Sequence, residues 1–467
     1  KDKEGKNTLI NTAHNSFNSN DLGLVKLSTY SASEYPNMWF KYNDNIIDIH
    51  YSDGITDEGK IDRSTSVTDN AAEAMFDSLK AVLSSYYSTH SHDEKIYLSI
   101  GQADTNECCT CSKCLSNAFK YNNSGTMIRF YNAIIKELLE EAILKDCNFK
   151  LVMFAYQYNL FSPLIHKMEV NETGLFSKSK TITGYSYDAS TDTLDDTTIP
   201  NEDHLFVRVA PLVMDQYLGM EEDASYLLQR FNGRIYDETA NKWVVKGSEY
   251  GDRLGHYKAF ILFNDWAKVT NNLMSWYYDS AFSYGYATYT GGVNRLERFI
   301  DSMKGNNFMG AFIQANFQDN VYVDTLLNAY VYQRLCWDDN LLSAIELRDE
   351  FISYYFDGES SSYIKEYYEM MDGYYEEAFK DSGYGNTFQN ISRITVDSLY
   401  KAKQKLGEAY NATNDESVKG RIERLELTPM FMMAKLDENW RVHFINVFNK
   451  YGGQFVSEGH TLNDYVW

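Results

Sequence analysis

Residues 96–114 read IYLSIGQADTNECCTCSKC. The first five form a mainly apolar run in which β-branched and aromatic residues sit together, ended by Gly101, the pattern of a buried strand. Polar and ionisable groups follow at once: Gln102, Asp104 and Asn106, then Cys108, Cys109, Cys111 and Cys114. In an alternating β/α chain the carboxyl end of a strand is where side chains are free to meet a ligand. Asp104 is therefore the first candidate for chemistry.

Working outward, similar apolar runs occur at residues 8–13, 149–155, 204–210, 257–263 and 308–313. Stretches with helical periodicity lie between some of them, at residues 70–85, 126–144 and 293–304. This predicts repeated β/α units with parallel strands. With the run at 96–100 the strands number six, two short of a closed (β/α)8 barrel. The expected fold is α/β, a (β/α)8 TIM-barrel-like domain over residues 1–325 whose first strands lie upstream of Lys1 or are missing. A hairpin is predicted from 38–42 and 46–51 around Asn43-Asp44-Asn45. From about Leu326 the strand signal ends, and helices at 341–355, 363–379, 396–410 and 416–440 predict an all-α domain over residues 326–467. Pro429 is expected to kink or split the last of these.

A formal charge of −23 without a basic stripe argues against a nucleic-acid partner. No apolar run reaches membrane-spanning length, so no membrane span is expected. No signal peptide begins the chain, although the mature form of an exported protein would look the same. The 38 Tyr, 26 Phe and 7 Trp supply flat rings that suit cores and also stack on sugars.

The strand ends supply the candidate binding groups. His14 follows the first run, as a structural residue or a partner for a substrate hydroxyl. Tyr156, Gln157 and Tyr158 follow the run at 149–155. Arg208 lies inside the next, with Asp215 beyond it; a buried arginine needs an acidic partner. Asn264, Asp265 and Trp266 follow the run at 257–263, and Gln314 and Asn316 the last. Tyr156, Tyr158, Trp266 and Trp276 form a candidate stacking platform. Gln102, Gln157, Arg208, Asn264, Gln314 and Asn316 are candidates for recognising hydroxyls or carboxylates. An arginine at the mouth favours an acidic sugar such as a uronate, whereas one paired with Asp104 or Asp265 tunes a pKa. Cys109-x-Cys111-x-x-Cys114, with Cys108 or a more distant fourth ligand, can hold a structural zinc; a loop disulfide or packing thiols are the alternatives.

The segments IGQADTNECCTCSKC, FNDWAKVTNN, LLNAYVYQRLCWDDNLLSAIELRDEFISYYF and SVKGRIERLELTPMFMMAKL, in this order, resemble the bacterial DUF4838 family. The resemblance runs from about Leu9 to Leu436. It implies a glycoside-hydrolase-like barrel in the neighbourhood of α-glucuronidases and hexosaminidases, acting on a complex glycan outside the cell or at its surface. Carboxylate catalysis would need no cofactor, with Asp104 protonating the leaving oxygen and Asp265 or Asp215 as the second carboxylate. Three departures bear on this. Ala103-Asp104 stands where the family has Asn-Asp, Phe263-Asn264-Asp265-Trp266 where it tends to Trp-Asp-Tyr, and Ile313-Gln314-Ala315 where it often has Glu-Gln-Gly. The rival expectations are a non-catalytic carbohydrate-binding barrel, a metal-dependent hydrolase and a structural surface protein.

Overall fold

The computed structural model describes residues 9–10, 39–42, 45–52, 54–64, 70–102, 109, 112–164, 170–172, 180–182, 194–211, 226–228, 234–237, 242–245, 256–282, 284–316, 321–337, 342–379 and 393–467. One sheet organises it. Numbering only its own strands, these are β1 (Leu9–Ile10), β2 (Ile96–Ser99), β3 (Phe149–Ala155), β4 (Leu205–Val209), β5 (Leu273–Tyr278) and β6 (Ala311–Gln314). They are all parallel and hydrogen-bonded in chain order. A sheet whose order follows the chain is singly wound, as in a β/α barrel, whereas a doubly wound sheet reverses partway. The fold is thus mixed α/β and barrel-like, as expected. Eight strands closed into a barrel are not formed among the described residues.

Strands β2 to β5 read as apolar runs because both of their faces are largely covered, whereas β6 is partly exposed. Alternate side chains, Leu151, Met153 and Ala155 of β3, Leu205, Val207 and Val209 of β4, and Leu273 and Tyr277 of β5, join the main core with the helices. Phe154, Trp276 and Tyr278 point to the opposite face and cluster with Tyr156 and Ala210. This division follows from the two-residue period of a strand.

Helix α1 (Ala71–Tyr87) lies between β1 and β2, and α2 (Ser112–Glu140) between β2 and β3. Helix α3 (Ala259–Val269) precedes β5, and α4 (Asn294–Gly305) precedes β6. The Asn70 side chain caps α1 by accepting from the Glu73 amide. Helix α2 bends at Asn122, whose φ is +59°. There the side-chain amides of Asn122 and Asn123 donate to the carbonyls of Ser162 and Tyr158, fastening the bend to the segment after β3. The predicted hairpin is present, with Trp39–Tyr42 antiparallel to Asn45–Ile49.

One strand assignment is corrected. Residues 257–263 do not enter the sheet: His256–Lys258 pairs antiparallel with Tyr226–Leu228 apart from it, and residues 259–263 open α3. The sheet strand is β5, further along the chain. In α3, Leu262, Phe263, Trp266 and Val269 are buried while Asn264 and Lys268 are exposed, which is helical spacing. A short apolar run fits a strand or a buried helix face, and here the period decides.

After β6 come α5 (Val323–Trp337), α6 (Ala344–Tyr355), α7 (Gly358–Phe379), α8 (Val396–Ala412), α9 (Glu416–Leu425), α10 (Leu427–Leu436) and α11 (Arg441–Lys450). Ser343 and Glu346 form a reciprocal capping box at α6. The stretch at 416–440 splits, with Pro429 in the first turn of α10, where no backbone N–H is needed. Buried side chains of α5 to α9 belong to the same core as the helix-facing side of the sheet. Where the two meet, Arg295 of α4 forms an ion pair with Asp279, the residue after β5, and both side chains are at most 2% exposed. Arg295 also donates to the Tyr277 hydroxyl at 2.8 Å, and Asn328 of α5 to the Asp279 carboxylate at 3.3 Å.

Candidate functional site

The face of the sheet turned away from α1 to α4 carries Arg208. In register it lies beside Phe154 on β3 and Met274 on β5. Its guanidinium carbon is 5.3 Å from the Phe154 ring centroid and 5.7 Å from that of Trp276. The residue is 2% exposed, and its Nη1 meets no hydrogen-bond acceptor among the described residues. Burial pulls its pKa down to about 10, so the group is still cationic at neutral pH. Ring faces offset part of the desolvation cost of this cation, and an anion would offset far more.

Around it lie groups of two kinds. Trp276 packs on Phe154 at 5.2 Å and Phe312 at 4.2 Å between centroids, and its indole N–H donates to Gln314 Oε1 at 3.0 Å. That bond fixes the orientation of the Gln314 amide and leaves its N–H groups for another partner. Asn316, just beyond β6, accepts from Thr325 at 2.6 Å, while its buried Nδ2 meets no acceptor among the described residues.

The end of β3 is locked from beneath. Gln102 Nε2 donates to the Tyr156 carbonyl at 2.8 Å and to Asn159 Oδ1 at 2.9 Å. Asn159 Nδ2 in turn donates to the Phe154 carbonyl at 2.9 Å, and its Oδ1 accepts from the Tyr156 amide at 2.9 Å. Between them Gln157 has φ +55°, an uncommon conformation for a residue with a side chain, held here by its neighbours. Its side-chain amide donates to the Tyr156 hydroxyl at 3.0 Å. Gln102 and Asn159 thus act as positioning residues for Tyr156, Gln157 and Tyr158.

The three residues expected after a strand at 257–263 are instead on α3. Asn264 is exposed there. Asp265 is buried, with Lys268 Nζ at 3.3 Å. Trp266 has no exposed surface, and its indole N–H donates to the Leu160 carbonyl at 2.9 Å. It offers no open ring face to a sugar and serves the core. Asp104, Asp215 and His14 lie outside the described residues, as do Cys108 and Cys111.

A second constellation sits where the hairpin meets the start of α2. His50 follows the second hairpin strand, Cys114 lies in the first turn of α2, and Cys109 precedes that helix. His50 Nδ1 is 3.1 Å from Cys109 Sγ and 3.7 Å from Cys114 Sγ. The three potential ligand atoms lie within 4.8 Å of one another. Hydrogen bonding with Cys109, and then with His50 and Ser52, pulls the Cys114 thiol down to about 4 against the opposing effect of burial. A thiolate in the first turn of a helix also gains from the helix dipole.

Sequence reading missed Phe154, Asn159 and His50. Phe154 was within reach, being two residues before Tyr156 on the same strand face. Nothing local to His50 signals its place, because the partner cysteines lie about sixty residues away.

The model of the family described as "Domain of unknown function (DUF4838)" matches residues 12–173 and 251–369, more than half of the chain. No curated protein matches it. The matched residues include β2, β3, α3, β5, β6 and the His50–Cys109–Cys114 constellation, while Arg208 falls between the two matched segments. On the extent of this match, the chain belongs to the DUF4838 family.

Proposed function

We propose that the protein is a glycoside hydrolase of (β/α)8 type whose substrate is a glycan bearing an acidic sugar, bound at the carboxyl ends of the sheet strands. The observation that carries this reading is Arg208, a buried cation between Phe154 and Trp276 with no anionic partner among the described residues. A uronate carboxylate would accept the guanidinium N–H groups as a planar pair. The sugar ring would lie against Phe312, the exposed member of the Trp276 stack, and Gln157, Gln314 and Asn316 would take hydroxyls. Asp104, directly beyond β2, is the proposed general acid, and Asp215, beyond β4, the favoured second carboxylate. Asp265 is the weaker choice because it lies within α3 beside Lys268. A bacterial protein acting outside the cell or at its surface fits a polymeric substrate.

A second reading is a non-catalytic carbohydrate-binding protein. Ile313 favours it, since an apolar side chain stands where the family resemblance would put a glutamate. A release assay on a panel of uronate-containing and neutral polysaccharides, with Asp104→Asn in parallel, separates the two. Products that disappear in the variant support hydrolysis. A bound but intact glycan supports the second reading.

A further inference from the structure

We propose that His50, Cys109 and Cys114 hold a zinc ion that clips the hairpin to the entrance of α2. A tetrahedral Zn²⁺ with bonds of ~2.3 Å to sulfur and ~2.0–2.1 Å to nitrogen holds its ligand atoms roughly 3.5 Å apart. The His50 Nδ1 separations of 3.1 Å and 3.7 Å from the two sulfurs already match that spacing. These ligand atoms come from separate parts of the chain, the end of the hairpin and the entrance to α2. Cys111 lies two residues after Cys109 and three before Cys114, so the chain between the two placed cysteines carries a third thiol.

The imidazole is what distinguishes this site from a cluster internal to one loop. A ligand set drawn only from 108–114 would fix the loop to itself. Adding His50 ties Cys109 and the start of α2 to the hairpin and to the buried residues Ile49 and Tyr51 that flank the histidine. Binding would displace one proton from each thiol that is still protonated and leave the imidazole neutral. Ligands drawn from a hairpin end and a helix start tie two parts of the chain together, so the ion would contribute directly to folding stability. The metal site does not rest on the hydrolase reading.

The test is zinc content and cobalt substitution on the whole chain. Elemental analysis of protein purified without chelator is expected to give one zinc per chain. The cobalt-replaced protein is expected to show thiolate-to-metal charge transfer and the intense visible bands of a tetrahedral site. His50→Ala should weaken zinc binding by roughly 100-fold or more, as expected when a ligand and not a neighbour is lost. Should that variant fail to fold, His50→Cys supplies the decision, because a thiolate there restores one zinc per chain and strengthens the charge-transfer band. A metal-free chain with a disulfide among Cys109, Cys111 and Cys114 overturns the proposal. So does a zinc whose affinity is unchanged in His50→Ala. Neither readout depends on glycan release, so the metal site and the hydrolase reading can fail independently.

Discussion

Arg208 and Trp276 stand on adjacent parallel strands with the guanidinium carbon 5.7 Å from the indole centroid, and Phe154 closes the other side at 5.3 Å. A cation enclosed by aromatic rings costs stability, and the proposed carboxylate ligand would offset that cost. The site and the fold therefore make opposing demands at this position, and substitution separates them.

Arg208→Met replaces the cation by an apolar side chain of similar length. Thermal or urea unfolding should show stability unchanged or raised by about 1 kcal/mol or more, as when other buried ionic groups are exchanged for hydrophobic ones. The sign with pH follows from the lowered pKa of about 10. Below that value the folded protein carries the full cost of the buried charge, and relief begins only as pH rises through it. The stability difference between variant and wild type should therefore be flat from pH 5 to pH 9. A clear loss of stability in the variant would mean that an anion outside the described residues already partners Arg208.

Trp266→Phe should lower stability by about 1–3 kcal/mol, because the Leu160 carbonyl loses its buried donor. Glycan affinity should not change. A denaturant titration and a binding isotherm check the two halves. Lost affinity with unchanged stability would restore the sugar-stacking role that the sequence suggested for this residue.

Arg295→Ala leaves the Asp279 carboxylate buried without its cation, and destabilisation of about 3–5 kcal/mol is expected by urea unfolding. Asp279→Asn combined with Arg295→Met should recover part of that loss. If the single variant costs less than about 1 kcal/mol, the pair does not secure the seam between the sheet and the C-terminal helices.

Burial raises the pKa of Asp324, although the hydroxyls of Thr428 and Tyr368 donate to it. A carboxyl whose folded pKa exceeds its unfolded value costs stability above the folded pKa. That cost disappears as pH falls to the ordinary carboxylate range. Asp324→Asn loses one acceptor oxygen at every pH and loses the charge penalty only at high pH. Its stability relative to wild type should therefore be more favourable at pH 8 than at pH 4, by melting temperature. The opposite slope would show that the hydroxyl donors outweigh burial.

Much of the frame was legible because period and punctuation agree. The run ended by Gly101, the run ending at Ala155 and the apolar stretch around Arg208 all became neighbouring parallel strands. The run at 257–263 misled because its apolar residues are contiguous as well as helically spaced, and only burial of Trp266 and Val269 with exposure of Asn264 reveals the helix. Arg208 was visible in the sequence, but its ring neighbours Phe154 and Trp276 depend on strand register, which no local pattern gives. His50 depends on a tertiary contact between a hairpin and a helix start.

The most direct test of the central claim is a calorimetric titration of wild type and Arg208→Met with a matched pair of oligosaccharides, one ending in a uronate and one with that carboxyl reduced to the alcohol. The account predicts that wild type prefers the uronate by roughly 30-fold or more, equivalent to about 2 kcal/mol, and that the preference vanishes in the variant. Equal affinity of wild type for the two ligands, or a preference that survives in Arg208→Met, would contradict it.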